Sequence, residues 1–168
     1  MEQRALDGPF VFCYNSTMDK QQYYEDFLAI SKMHSPINKK VRMLTELLGS
    51  YEDCWRVVGI TKNALDVFAN HNFKKVSKMG INRSHLVDRH KTYTFMLTNS
   101  FKNAEQWWDY FITNDKTILA TSSENISKNL SEVYNIDVAL GLFKTKGFAW
   151  SHTRQEQQFL KNLYECSK

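Results

Sequence analysis

The stretch "GINRSHLVDRHKTYTFMLTN", residues 80–99, decides how this chain is read. Behind Gly80 it gathers Arg83, His85, Arg89, His90 and Lys91 around a single acid, Asp88, and then enters a run that alternates threonine with large apolar residues. Tyr93, Phe95 and Leu97 fall on one side of that run and Thr92, Thr94 and Thr98 on the other, the period-two pattern of a strand. "INRSHL" reads as a shorter strand and "VDRHK" as a polar connection, so the whole stretch is expected to form a β-hairpin. His85 then ends the first strand. It is either a surface histidine in a basic turn or a side chain aimed at a ligand.

Working outward, Asn99 is placed to cap a helix over "SFKNAEQWWDYFIT", in which Asn103, Trp107 and Phe111 share a face at i, i+4 and i+8. The expected local order is strand, strand, helix. "KTILATSSEN" adds a short strand, with Ser122 or Ser123 capping a helix that begins near Glu124. Upstream, an apolar start, "PFVFCY", precedes a helix from about Met18 to Met33 that buries Tyr23, Phe27 and Ile30. Pro36 breaks it, and Asn38 can cap a second helix running to Leu48, with Val41, Leu44 and Leu48 as its stripe and Gly49 as its stop. A β-branched approach in "CWRVVGIT" leads to Thr61, which caps a helix carrying Ala64, Leu65, Phe68 and Ala69. That helix opens into the basic "NHNFKKVSK", either a core helix with a polar exit or an element offering lysines to a phosphate backbone. A last helix starts near Thr153 and turns Phe159, Leu160 and Leu163 inward.

With 168 residues, 42% of them hydrophobic, the chain holds enough apolar material for one core without disulfides, and disorder by composition is excluded. Only six glycines and two prolines occur, too few for an all-β protein of many tight turns. The fold class expected is α+β, a helix-rich single domain over residues 1–168 with an embedded hairpin-plus-helix element. Residues 1–50 form its helical N-terminal part, 80–113 its functional core, and 140–168 a C-terminal basic loop and helix. Cys13, Cys54 and Cys166 are far apart and form no CxxC pair, so neither a disulfide framework nor a structural zinc is expected. No apolar run reaches the roughly 18 residues of a membrane span, and no signal-peptide layout opens the sequence. A cytoplasmic protein with no membrane partner is the expectation.

The formal net charge of +4 leans toward an anionic partner, and its distribution says more than its size. Cations cluster at Lys74, Lys75 and Lys78, at Arg89, His90 and Lys91, and at Lys144 and Lys146 within the Gly-bounded "GLFKTKGFAW". These eight are the candidate nucleic-acid contacts; a solvated surface is the alternative for each.

A strand ending in histidine, a second strand, and a helix with an early asparagine resemble the ββα-metal nucleases, the superfamily that includes the HNH enzymes. The match is closest to the DNA/RNA non-specific endonuclease motif. That branch carries Asp-Arg-Gly-His, and "NRSHL" keeps the arginine and histidine as Arg83 and His85, with Asn82 and Ser84 replacing the acid and glycine. Downstream, "FMLTNSFKNAEQWWDYF" is similar to its apolar-Thr-Asn segment followed by Asn and, four positions later, Trp, here Asn103 and Trp107. The resemblance spans about residues 80 to 113.

What the resemblance implies is a metal-dependent endonuclease that hydrolyses phosphodiester bonds of DNA, with RNA left open. In it His85 is the general base, Arg83 a phosphate clamp, and Asn103 the ligand of Mg²⁺ or another divalent cation. Asn125, also in a first turn after an apolar run, is the rival ligand. His152, just before the last helix, is either a capping-region residue or a further member of the site. Trp107 and Trp108 read as core side chains or, for one of them, a base-stacking surface. A homodimer is expected if cutting is specific for palindromes. From another class comes the alternative of a non-catalytic nucleic-acid or protein-binding module that uses the basic stretch as an electrostatic grip. A third option, an enzyme on small phosphorylated substrates, would show a deep pocket. No P-loop, GxSxG elbow or HExxH is present.

Overall fold

The computed structural model describes residues 19–146 and 149–168. The apolar start "PFVFCY" and Cys13 lie outside the described residues. Asp19 accepts from the Gln22 N–H and so opens α1, Lys20–Lys32, which buries Tyr23 and Phe27 but leaves Ile30, expected beside them, only partly buried. After the break at Pro36, helix α2 spans Ile37–Gly49. Its cap position is Pro36, whose carbonyl accepts from the Lys39 N–H, and Asn38 lies inside the first turn instead of capping it. Val41, Leu44 and Leu48 form the buried stripe.

Strand β1, Arg56–Thr61, ends on the expected cap, for Thr61 accepts from the Ala64 N–H at the head of α3, Lys62–Asn70. After an irregular basic loop, Gly80 takes a positive φ of 73° and feeds β2, Ile81–His85. No hairpin follows. The run 92–98, expected as a strand, and the end of the expected polar connection before it together form helix α4, Arg89–Thr98, with Asp88 as its cap accepting from the Lys91 N–H.

Three causes turn that run helical. Asp88 supplies a start signal three residues before Lys91. The buried positions are Thr92, Tyr93 and Met96, a helical spacing, while Phe95 stands 44% exposed. The threonines, strand formers by propensity, satisfy their hydroxyls within the helix: Thr92 donates to the Asp88 carbonyl and Thr98 to that of Thr94. Asn99 is then the C-cap of α4, and Asn103 is the N-cap of α5, Ala104–Asn114.

The partner of β2 is β3, Lys116–Thr121, and helices α4 and α5 fill the connection between them. The two strands run antiparallel with His85 opposite Thr117 and Ile81 opposite Thr121. Thr121, and neither Ser122 nor Ser123, caps the short helix α6, Ser122–Ser127, in a capping box with Glu124. The carbonyl of Gly80 accepts from both the Ser122 N–H and its hydroxyl, tying the start of α6 to the start of β2. A strand, strand, helix order therefore exists, but its members are β2, β3 and α6.

The sheet order is β2-β3-β1-β4, where β4 is Val133–Asn135; β1 and β3 are parallel and both edge strands antiparallel to their neighbours. A two-stranded ribbon, β5 (Thr145–Lys146) with β6 (Ala149–Trp150), precedes α7, Arg154–Cys166, capped by Thr153 and Glu156. The result is a helix-rich single α+β domain with two packed clusters. One is aromatic and joins α1, α2, α4 and α5 through Phe27, Trp55, Tyr93, Trp107 and Phe111. The other is mainly aliphatic and seats α3 and α7 on the sheet through Ile60, Leu65, Phe68, Leu119 and Leu160. Among the described residues no helix is long and apolar enough to cross a membrane.

Candidate functional site

A cleft of about 1100 Å³ opens where β2, α2, the start of α4 and the end of α6 meet. Strand β2 delivers Arg83 and His85, two residues apart and so on the same side of the strand. Helix α4 brings Asp88, Arg89 and His90 from its first turn, helix α2 brings Asn38, Arg42 and Thr45, and α6 brings Asn125 with Lys128 at its C-cap. Four permanent cations thus line the cleft against one carboxylate. Asp88 is engaged by its cap, where the Lys91 N–H holds its pKa below the ordinary carboxylate range. Such a surface raises the local concentration of anions.

Behind the lining residues Arg83, His85 and Arg89 lies Trp55, which is buried and does not itself line the cleft. The Arg83 guanidinium lies 5.1 Å and that of Arg89 5.3 Å from its ring centroid, both within cation–π range. The His85 ring meets the same indole edge to face at 6.1 Å. Below, the Trp55 N–H donates to Asp115, its Nε1 donates to the Tyr93 hydroxyl, and its carbonyl accepts from Thr117. Burial pushes the Asp115 carboxyl up to about 6, against the lowering effect of the Trp55 N–H, Cys54, Arg56 and Arg83.

His85 is pushed down to about 4, first by burial and then by Arg89, Arg83 and Lys128. Its imidazole is therefore held in the neutral form at pH 7. An anion entering the cleft would offset the surrounding positive charge and raise that pKa toward neutrality, which is the condition for a useful general base.

Of the residues singled out in the sequence, the cleft unites Arg83, His85, Arg89, His90 and Asn125. Asn103 is not among its lining residues. Its Oδ1 accepts from the Gln106 N–H at 2.9 Å, and Trp107, four residues on, is a fully buried core side chain. The Asn-x₃-Trp spacing is thus a helix cap followed by a core tryptophan. Neither Trp107 nor Trp108 offers a stacking surface, since both are buried. His152 packs flat on Phe68 and bonds to the Phe73 carbonyl through Nε2, away from the cleft lining.

Among the lysines, Lys74, Lys75 and Lys78 sit exposed in the loop before β2. Lys75 lies over the Trp150 ring at 3.7 Å, burial and then the nearby charge of Arg83 lower its pKa, and none of the three lysines is among the residues lining the cleft. Lys91 is exposed on α4 outside the cleft lining. Lys144 is taken up in ion pairs with Glu52 and Asp53. The Lys146 side chain lies outside the described residues. Arg42, Lys128 and Trp55 were not selected from the sequence. Arg42 was visible as part of "INKKVR", and the i, i+4, i+7 spacing of Asn38, Arg42 and Thr45 placed them on one helix face; nothing local marked Trp55.

For a hard divalent cation, the amide and carboxylate oxygens lining the cleft belong to Asn38, Asp88 and Asn125. Among the described residues no group of three or more His, Cys, Asp and Glu could hold a metal. Asn125 Oδ1 accepts from Lys128 Nζ at 3.1 Å, an exposed contact that exchange with water can replace. One amide oxygen suits a Mg²⁺ ion that keeps most of its waters and shares phosphate oxygens, and the donor set fits that sparse mode alone. Comparison of the chain with family models, with curated proteins and with solved structures finds no match.

Proposed function

We propose that the chain is an endonuclease of the ββα kind acting on DNA, and that β2, β3 and α6 make up its working element. The observation that carries this reading is the convergence of His85 and Asn125 on one basic cleft, His85 from the end of the first strand and Asn125 from the helix after the second. Arg83, Arg89, Arg42 and Lys128 would hold the phosphodiester backbone. Neutral His85 would take a proton from attacking water. Asn125 is the residue that would hold a divalent cation, which when bound screens charge on the pentavalent phosphorus and the leaving oxygen. A location inside the cell, and a twofold dimer if the sites cut are palindromic, belong to the same proposal.

The second reading is a DNA-binding module without catalysis, and the contact between Asn125 and Lys128 favours it, because the amide oxygen is already engaged. Incubation of supercoiled plasmid with Mg²⁺, Mn²⁺ or EDTA separates the two. Metal-dependent nicking lost in His85→Ala and Asn125→Ala, and kept in Asn103→Ala, supports the nuclease. Retarded migration without nicking under any metal selects the binding module. Nicking indifferent to His85→Ala overturns the assigned site.

A further inference from the structure

Arg83 and Arg89 reach the cleft from different elements, a strand and the first turn of a helix, yet both guanidiniums lie just over 5 Å from the centroid of one indole. Both line the one cleft, and both are within cation–π range of the same ring. Trp55 is suited to hold them, being fixed at three points: main-chain N–H to Asp115, carbonyl to Thr117, ring Nε1 to Tyr93. Its backbone sits at a φ of 55°, a left-handed conformation that is strained for a non-glycine residue and persists only where the surroundings over-determine it. Arg83 and His85 are in turn locked in register by the pairing of β2 with β3.

We infer that Trp55 is a positioning residue that turns Arg83 and Arg89 into one fixed receptor for a single phosphate group beside His85. This rests on the reading of the cleft as a nucleic-acid site and adds to it a defined point, as distinct from a diffuse basic track. An aromatic face orients a planar guanidinium but not an ammonium, so the receptor depends on the arginine fork and not only on charge. A diffuse track would depend on charge alone.

The test measures binding of a fluorescein-labelled DNA duplex in EDTA, with inorganic phosphate as a second probe, for wild type, Arg83→Lys, Arg89→Lys, the double lysine variant, Trp55→Phe and Trp55→Leu. The expected result is a loss of about tenfold or more for each lysine variant, though the charge is kept, and a double variant little weaker than the worse single one, because the two arginines act as a unit. Trp55→Phe should keep most of the binding and Trp55→Leu should fall with the lysine variants. If Trp55→Leu does not fold, the lysine pair and the phenylalanine variant decide. Lysine variants that bind like wild type, or losses that simply multiply, overturn the inference while leaving a DNA-binding cleft in place. Wild type that binds neither probe overturns both. Lysine-sensitive binding without any nicking in Mg²⁺ keeps the receptor and overturns the nuclease.

Discussion

Glu124 and His85 belong to the same strand, strand, helix element, and the fold treats their charges in opposite ways. The Glu124 carboxylate is buried but accepts from the Thr61 hydroxyl, the Asn63 amide, the Thr121 N–H, and both the N–H and hydroxyl of Ser131. Burial alone would raise its pKa, yet the donors from Ser131 and Thr121 outweigh that and bring it down to about 2. His85 is also largely enclosed, but its neighbours Arg89, Arg83 and Lys128 oppose its charge. The first group is satisfied and fastens α6 to the ends of β1 and β3. The second is held in a state that an incoming anion relieves. Full hydrogen bonding stabilises the charged form of the first group, whereas burial among like charges disfavours the charged form of the second.

Removing the first group should produce the largest effect. Glu124→Ala strands several buried donors at once, and at about 1–3 kcal/mol for a lost partner the expected destabilisation is about 3 kcal/mol or more, read from urea unfolding at pH 7. A loss under about 1 kcal/mol would remove the distinction drawn between the two groups. His85→Ala should behave in the reverse sense, with little change in unfolding and a fall in plasmid nicking of about 100-fold or more, the usual worth of a general base.

Acid titration of stability sharpens the contrast further. Glu124, lowered from 4.5 to about 2, adds stability that is complete above pH 4.5 and lost as pH falls toward 2. His85, lowered from 6.5 to about 4, acts the same way in its own window: the unfolded chain binds the extra proton, so stability rises between about pH 4 and 6.5. Asp115, raised from 3.8 to about 6, has the opposite sign, and its contribution is present below pH 3.8 and lost as pH rises through 6. The two slopes oppose each other in the wild type. His85→Gln should therefore uncover a stability that falls from pH 4 to 6, and Asp115→Asn one that rises; equal profiles for both variants would refute the assignment. The smallest effect is expected at Asn103, where replacement by alanine removes a helix cap worth about 1 kcal/mol and leaves nicking untouched.

The sequence carried the elements whose signals are local. Thr61 and Thr153 announced their helices, Pro36 and Gly49 bounded α2, and the apolar stripe of α2 and the Tyr23–Phe27 pair of α1 follow the expected spacing. Arg83, His85 and Asn125 were marked as site candidates because residue type and position at element ends are local properties too. The run 92–98 misled because threonine alternation and helical burial of Thr92, Tyr93 and Met96 fit the same letters, and the choice between them was made by a cap at Asp88 and by packing against α2 and α5. From that one element followed the misplaced second strand and the pairing of His85 with Asn103.

Composition and periodicity by themselves determined a helix-rich α+β chain, one basic strand end and a set of caps, because these depend on neighbours a few residues away. The register of β2 on β3, the arrival of α2 and α6 on either side of His85, and the choice of Trp55 as the ring behind two arginines were decided only in three dimensions. Their energies come from contacts between segments distant in the chain, and no window of sequence contains both partners.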